Sequence, residues 1–148
     1  MTTTRGAQRA VEQLDERECW SRLLQAQAGR LAFEADDRIA IVPLNLVVQG
    51  HDLVFRTTAD AELLHEQRLP VSFEIDGWDG TGVWSVVAQG TLRTEGVLDE
   101  SVPGPWRRRA PWAPDQAAPR TTLAALAISG VTGRRFTRRR WQDARWYW

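Results

Sequence analysis

From Arg30 onward, apolar and polar residues alternate with the two-residue period of half-buried strands. RLAFEA (30–35) and RIAIVPLNLVV (38–48) meet across Asp36-Asp37, a two-residue joint suited to a hairpin. DLVFRTT (52–58), VSFEIDGW (71–78) and VWSVVAQGTLR (83–93) follow, separated by the turn-forming Gln49–Asp52 and DGTG. Pro43 has no N–H to give a ladder, so its strand is predicted to be bulged or at an edge there. LAALAIS (123–129) reads as a sixth strand. Ahead of the strands, Trp20, Leu23, Leu24 and Gln27 recur at helical spacing. Asp15 with Glu18 forms a capping-box pair, Leu14 with Cys19 can staple the entry, and Gly29 offers a stop. ADAELLHEQR (59–68) predicts a short second helix closed by Pro70, and Gly96–Arg120 a loop. Hairpin-length joints and only two helices predict a mostly-β domain, a six-stranded antiparallel barrel rather than a βαβ sheet. Residues 1–12 are expected to be flexible, 13–137 to form the barrel, and 138–148 to be an Arg/Trp-rich tail. That tail, RRRWQDARWYW, closes on three aromatics, and apolar surface of this kind usually ends up buried against something.

Composition narrows the chemistry. A chain of 148 residues is the size of one domain with one core. No apolar run approaches the ~18 residues that cross a bilayer, and the first residues lack a hydrophobic leader. No membrane association and a cytoplasmic location are the expectations. Cys19 is the single cysteine and His51 and His65 are scattered, which is no metal-site pattern. All nineteen basic residues are arginine, excluding Schiff-base and lysine–phosphate chemistry. Charge is polarised along the chain: nine arginines face seventeen acids in residues 1–100, against ten arginines and two acids in 101–148. The halves attract, so the basic end is expected to pack on an acidic body, its own or a partner subunit's. No nucleic-acid-binding motif accompanies the charge, and nucleic acid is not expected as a partner. Nor is there a Ser-His-Asp or Cys-His arrangement with supporting context. Trp78 and Trp84 read first as core or interface aromatics.

VFRTTADAELL (54–64) holds the sharpest chemical signal. Arg56, Thr57 and Thr58 lie where strand gives way to turn, and a guanidinium beside two hydroxyls is a phosphate cradle. Asp60 and Glu62 follow at once. A carboxylate about 5 Å from a phosphate costs on the order of 1 to 3 kcal/mol at an effective dielectric near 20.

Taken in order, LDERECWSRLLQAQAGRLAF, IVPLNLVV, VFRTT, VSFEIDG, GVWSVVAQGTLR and VTGRRF resemble the pyridoxamine 5′-phosphate oxidase-like split-barrel family, over about Leu14 to Phe136. More narrowly, the chain is similar to small actinobacterial-type members that bind FMN. The resemblance implies a six-stranded split barrel that forms a homodimer, with FMN in two grooves between subunits and a small-molecule substrate. It implies phosphate contact by Arg56, Thr57 and Thr58, and flavin-ring contact by Pro43 and Asn45. Trp84, Ser85 and Val86 would reach the flavin from the partner chain, and the closing Gly-Arg-Arg falls on Gly133, Arg134 and Arg135. The pattern departs at Glu62, which stands where relatives carry a phosphate-pairing lysine; Arg68 or Arg134-Arg135 could compensate. Two alternatives therefore stand beside an FMN oxidoreductase. One is a flavin-free binding or accessory protein using the same groove for a hydrophobic metabolite, haem or a partner. The other is a deazaflavin enzyme. The chain is shorter than expected for a true pyridoxamine phosphate oxidase and lacks its Arg-x-His pair near the end.

Overall fold

The structure, a computed structural model, describes residues 11–58, 69–80, 82–97 and 121–137, with the side chains of 56–58, 94–97, 121, 122 and 137 outside that description. The helix expected over 59–68, residues 98–120 of the loop expected over 96–120, and the tail fall outside the described residues. Eight elements run in chain order: β1 (Val11–Leu14), α1 (Glu16–Gln25), β2 (Ala28–Ala35), β3 (Arg38–Gln49), β4 (Asp52–Thr58), β5 (Leu69–Trp78), β6 (Gly82–Val97) and β7 (Thr121–Thr137). Every pairing is antiparallel. Strands β7-β4-β3-β2-β5-β6 form a ring that closes through β6–β7, and β1 adds outside it to β7. The expected six-stranded barrel is present.

Alternation builds its core. Leu31, Phe33, Leu53, Phe55, Phe73, Ile75, Val86 and Leu126 point inward and are buried, while the residues between them face outward. Phe55 and Phe73 meet at 5.2 Å between ring centroids near the middle. Asp36 and Asp37 both adopt positive φ (50° and 57°), the conformation a two-residue hairpin with the strands' own twist demands.

Helix α1 starts as its sequence indicates. The Glu18 N–H donates to the Asp15 side chain at 2.8 Å, and Glu18 reaches back to accept from the Asp15 N–H at 3.3 Å. Leu14 and Cys19 are both buried in the core cluster. Asp15→Ala is expected to cost about 1 kcal/mol, read as a lower urea midpoint, with Asp15→Ser keeping most of the stability.

Several boundaries differ from expectation: Gly96, expected to open a loop, lies inside β6, and Pro70, expected to close a helix, lies inside β5. The helix ends at Gln25, with Ala26 already extended, and Gly29 lies inside β2. That glycine serves close packing rather than helix termination: a Cβ there would come within 2.3 Å of the Phe73 ring and 2.5 Å of the Glu74 carbonyl. The last strand spans Thr121–Thr137 rather than stopping at residue 129. Its extra length supplies the edge on which Val11–Leu14 pair with Phe136–Gly133, so the segment expected to be flexible through residue 12 is strand from Val11.

Candidate functional site

Two neighbouring strands of the ring part company. β3 pairs with β4 only over Leu46–Gln49, opposite Phe55–Asp52. Beyond that point β4 carries on beside β7, with Arg56, Thr57 and Thr58 opposite Leu123, Thr122 and Thr121. Over Arg38–Asn45, β3 pairs with β2 alone among the described residues. The facing edges of the two strands are unpaired from there on among the described residues and define a slit, and continuing their register sets Asn45 abreast of Arg56.

Pro43 sits on the slit's open edge. Leu46 donates its N–H to the Gln27 carbonyl at 3.1 Å, which fixes the alternation of hydrogen-bonded pairs along β2–β3. Pro43, opposite Arg30, falls on a non-hydrogen-bonded pair, so its nitrogen faces the slit and no ladder bond is lost. Asn45 is half-buried, and its Oδ1 is buried without a hydrogen-bond partner among the described residues. A buried acceptor left without a donor among the described residues, at the head of an opening, is a place where a ligand's donor would be favoured. Beside the slit, Arg30 bridges Glu74 (3.4 Å) and Asp76 (2.7 Å). Burial, and then the neighbouring Asp76, push the Glu74 carboxyl above its ordinary range, against the pull of Arg30.

The other expected contacts lie elsewhere. Trp84, Ser85 and Val86 face Arg135, Arg134 and Gly133 across β6–β7. Strands β2 and β5 stand between β3 and β6 in the ring, three strand spacings or roughly 14 Å around the wall. Ser85 and Arg134 present their side chains outward. Val86 does not: it is fully buried in the core, so the flavin contact expected of its side chain is replaced by packing. Gly133 is also structural, because a Cβ there would approach Cys19 Sγ to 2.7 Å where α1 lies on β7. Burial raises the Cys19 thiol above its ordinary range, in keeping with an inert packing role.

Trp84 closes the barrel end under α1. Its indole covers Gly77, where a Cβ would meet it at 2.5 Å, and the Arg22 guanidinium lies over the ring at 4.3 Å from the centroid. Asp79, in the β5–β6 turn, accepts from the Gly82 N–H at 3.2 Å and pairs with Arg135 at 2.9 Å, with Arg22 at 3.6 Å. A cleft of about 550 Å³ lies beside this group, between α1 and the barrel wall. The capped helix was legible in the sequence, but the convergence of Arg22, Asp79 and Arg135 was not, since they come from distant elements.

The family model of pyridoxamine 5′-phosphate oxidase matches residues 15–135. The chain belongs to that family. Among solved structures of similar shape, a FAD-binding protein from Mycobacterium smegmatis is 30% identical, with 86% of this chain and 99% of that one covered and a TM-score of 0.60. A conserved protein of unknown function from Corynebacterium diphtheriae is 27% identical over 86% of this chain and 99% of its own, with a TM-score of 0.59. A FAD-binding protein from Mesorhizobium loti, 23% identical over 86% and 98%, shares the fold with a TM-score of 0.65. No curated protein matches the chain at significant similarity. No helix among the described residues is long and apolar enough to cross a membrane.

Proposed function

We propose that the protein binds a flavin nucleotide in the β3–β4 slit, as a homodimer, and acts as an oxidoreductase on a small organic molecule. The observation that carries this reading is the buried Asn45 Oδ1, without a partner among the described residues, at the slit of a family member. A flavin's pyrimidine edge offers an N–H flanked by carbonyl oxygens, the donor this acceptor lacks. The residues present fit the group. Pro43 gives its ring a flat apolar neighbour, Asn45 holds its polar edge, and Arg56, Thr57 and Thr58 would hold the phosphate with charge-assisted hydrogen bonds. When bound, the isoalloxazine supplies hydride or electron transfer, and the protein's task is to orient it and limit water.

A second copy supplies what one chain keeps apart. Ser85 and Arg134 lie around the wall from the slit, where a twofold partner can bring them to it, whereas Trp84, expected beside them, is turned to the opposite face and packs under α1. Exposed apolar residues support such an interface. Trp78, Val83, Phe136 and Val11 are cross-strand neighbours in one outward row over β5, β6, β7 and β1, and each is more than 40% exposed. Ile39 and Ile41 on β3 are exposed at 78% and 65%.

FMN is the flavin proposed from the sequence resemblance, while the M. smegmatis relative favours FAD as the second reading. Mass spectrometry of the flavin released from purified protein separates them. Arg56→Gln is expected to weaken flavin binding roughly tenfold to a hundredfold, as loss of one charge-assisted hydrogen bond of about 1.5–3 kcal/mol implies. Glu62, which lies outside the described residues, motivates the flavin-free alternative. That alternative gains if wild type takes up neither FMN nor FAD while Glu62→Lys does. Tight wild-type binding indifferent to Glu62→Lys ends it, and protein that binds no flavin in either form defeats the flavin reading.

A further inference from the structure

The cleft beneath α1 has a recognition group of its own. Arg22 is 20% exposed at its side chain, and its guanidinium carbon lies over the Trp84 indole at 4.3 Å from the centroid. Its approach to Asp79, 3.6 Å, is an ion contact beyond hydrogen-bonding reach, and Asp79 is served more closely by Arg135 at 2.9 Å and by the Gly82 N–H. The Arg22 N–H groups thus make no hydrogen bond among the described residues, although a guanidinium carries five donors in a rigid fork.

The acids on the cleft wall are committed elsewhere. Glu18 accepts from the Asp15 N–H in the capping box, and Asp76 accepts from Arg30 at 2.7 Å. Ser21 and Gln25 bond each other at 3.3 Å and add neutral polar groups. Trp84, Ile75, Ala26 and Ala28 give the cleft apolar wall, and about 550 Å³ is the size of a small-metabolite pocket.

We infer that this cleft binds the carboxylate of a small organic acid, with Arg22 as the residue that recognises it. A carboxylate matches the guanidinium fork in a plane and carries one charge against one. A phosphate dianion doubles its attraction to Arg22 but also its repulsion from two carboxylates, Asp76 and Glu18, so the wall favours the singly charged ligand. The proposal does not depend on flavin in the slit.

Benzoate, titrated into the full chain, serves as the probe, followed through the ¹⁵N–H resonance of the Trp84 indole assigned with Trp84→Phe. Benzoate is expected to move that resonance saturably, with benzamide, its neutral counterpart, binding roughly tenfold or more weakly. Arg22→Gln is expected to lose at least about tenfold in benzoate affinity, and Arg22→Lys to fall between, because an ammonium lacks the fork. Inorganic phosphate at equal concentration is expected not to displace benzoate. An indole unmoved by benzoate, equal binding of benzamide, displacement by phosphate, or unchanged affinity in either Arg22 variant overturns the assignment. The benzoate–benzamide–phosphate comparison is made on wild type, so it stands even if a variant misfolds. Flavin occupancy is read separately from visible absorbance, so failure at one site is distinguishable from failure at the other.

Discussion

Gly90→Ala is expected to destabilise the protein by about 3 kcal/mol or more, enough to leave little folded protein at 37 °C if the domain has ordinary marginal stability. Gly90 sits at the irregularity where β6 slips register against β7, between Gln89 opposite Gly130 and Gly90 opposite Ile128. A Cβ there would stand 1.9 Å from the Ala127 carbonyl oxygen and 2.8 Å from its carbon. Those are backbone atoms, and no rotamer change moves them. Nor can β7 step aside, because Ala127 is paired on both flanks, with Asp52 of β4 and Thr91 of β6. Relief means breaking the ladder that closes the ring. Gly130, a few residues along the same strand, is the control: nothing lies within 4 Å of the position its Cβ would take. Gly130→Ala is therefore expected to stay within about 0.5 kcal/mol of wild type, as unobstructed surface substitutions do. Urea midpoints of the two variants check the contrast. Similar midpoints for both would show that the bulge is pliable.

Phe73→Ala is expected to cost about 3–5 kcal/mol, the range for deleting a fully buried phenyl ring. Phe73 is 0% exposed, stacks at a tilt on Phe55, and fills the hollow left by the missing side chain of Gly29. It belongs to β5, which is paired on both sides, with β2 and β6, so the wall cannot collapse freely into the void. A residual cavity and a cost near the upper end follow. Phe73→Leu is expected to recover at least half of the loss, because it leaves a smaller void. Denaturant unfolding of the three proteins orders them as wild type, Leu, Ala. A Phe73→Ala loss below about 1.5 kcal/mol would mean that the barrel relaxes around the site, at the low end of what core truncations show.

Strands two residues wide in period announce themselves, and so β2 to β6 were legible, as were the Asp15–Glu18 cap and the Asp36–Asp37 hairpin. Pro43 was legible as an edge residue because its missing donor admits few positions in a sheet. What local pattern could not reveal is what each glycine faces. Gly29 looks like a helix stop, yet its neighbours are Phe73 and Glu74, more than forty positions away. Strand β1 was hidden for a related reason. VEQL has no alternation of its own to speak of, and it is strand because Phe136–Gly133 offer it a ladder.

The candidate site divides along the same line. The resemblance placed Pro43, Asn45 and Arg56–Thr58 on one feature, and the backbone sets them on the two sides of one slit. Ser85 and Arg134 are outward cross-strand neighbours, while Val86 and Gly133, adjacent to them in sequence, face the core. Period-two geometry forces that split: neighbours in a strand cannot share a face. The Arg22–Asp79–Arg135 group was invisible because it is assembled by ring closure.

Ring closure also sets when this chain can finish folding. β7 is the partner of β1, β4 and β6, so the earliest and latest described strands are joined through Val11 and Phe136. During synthesis, β4 keeps one bare edge until Ala127 has emerged and β6 until Thr137 has, so the barrel passes through a half-laced stage with exposed strand edges.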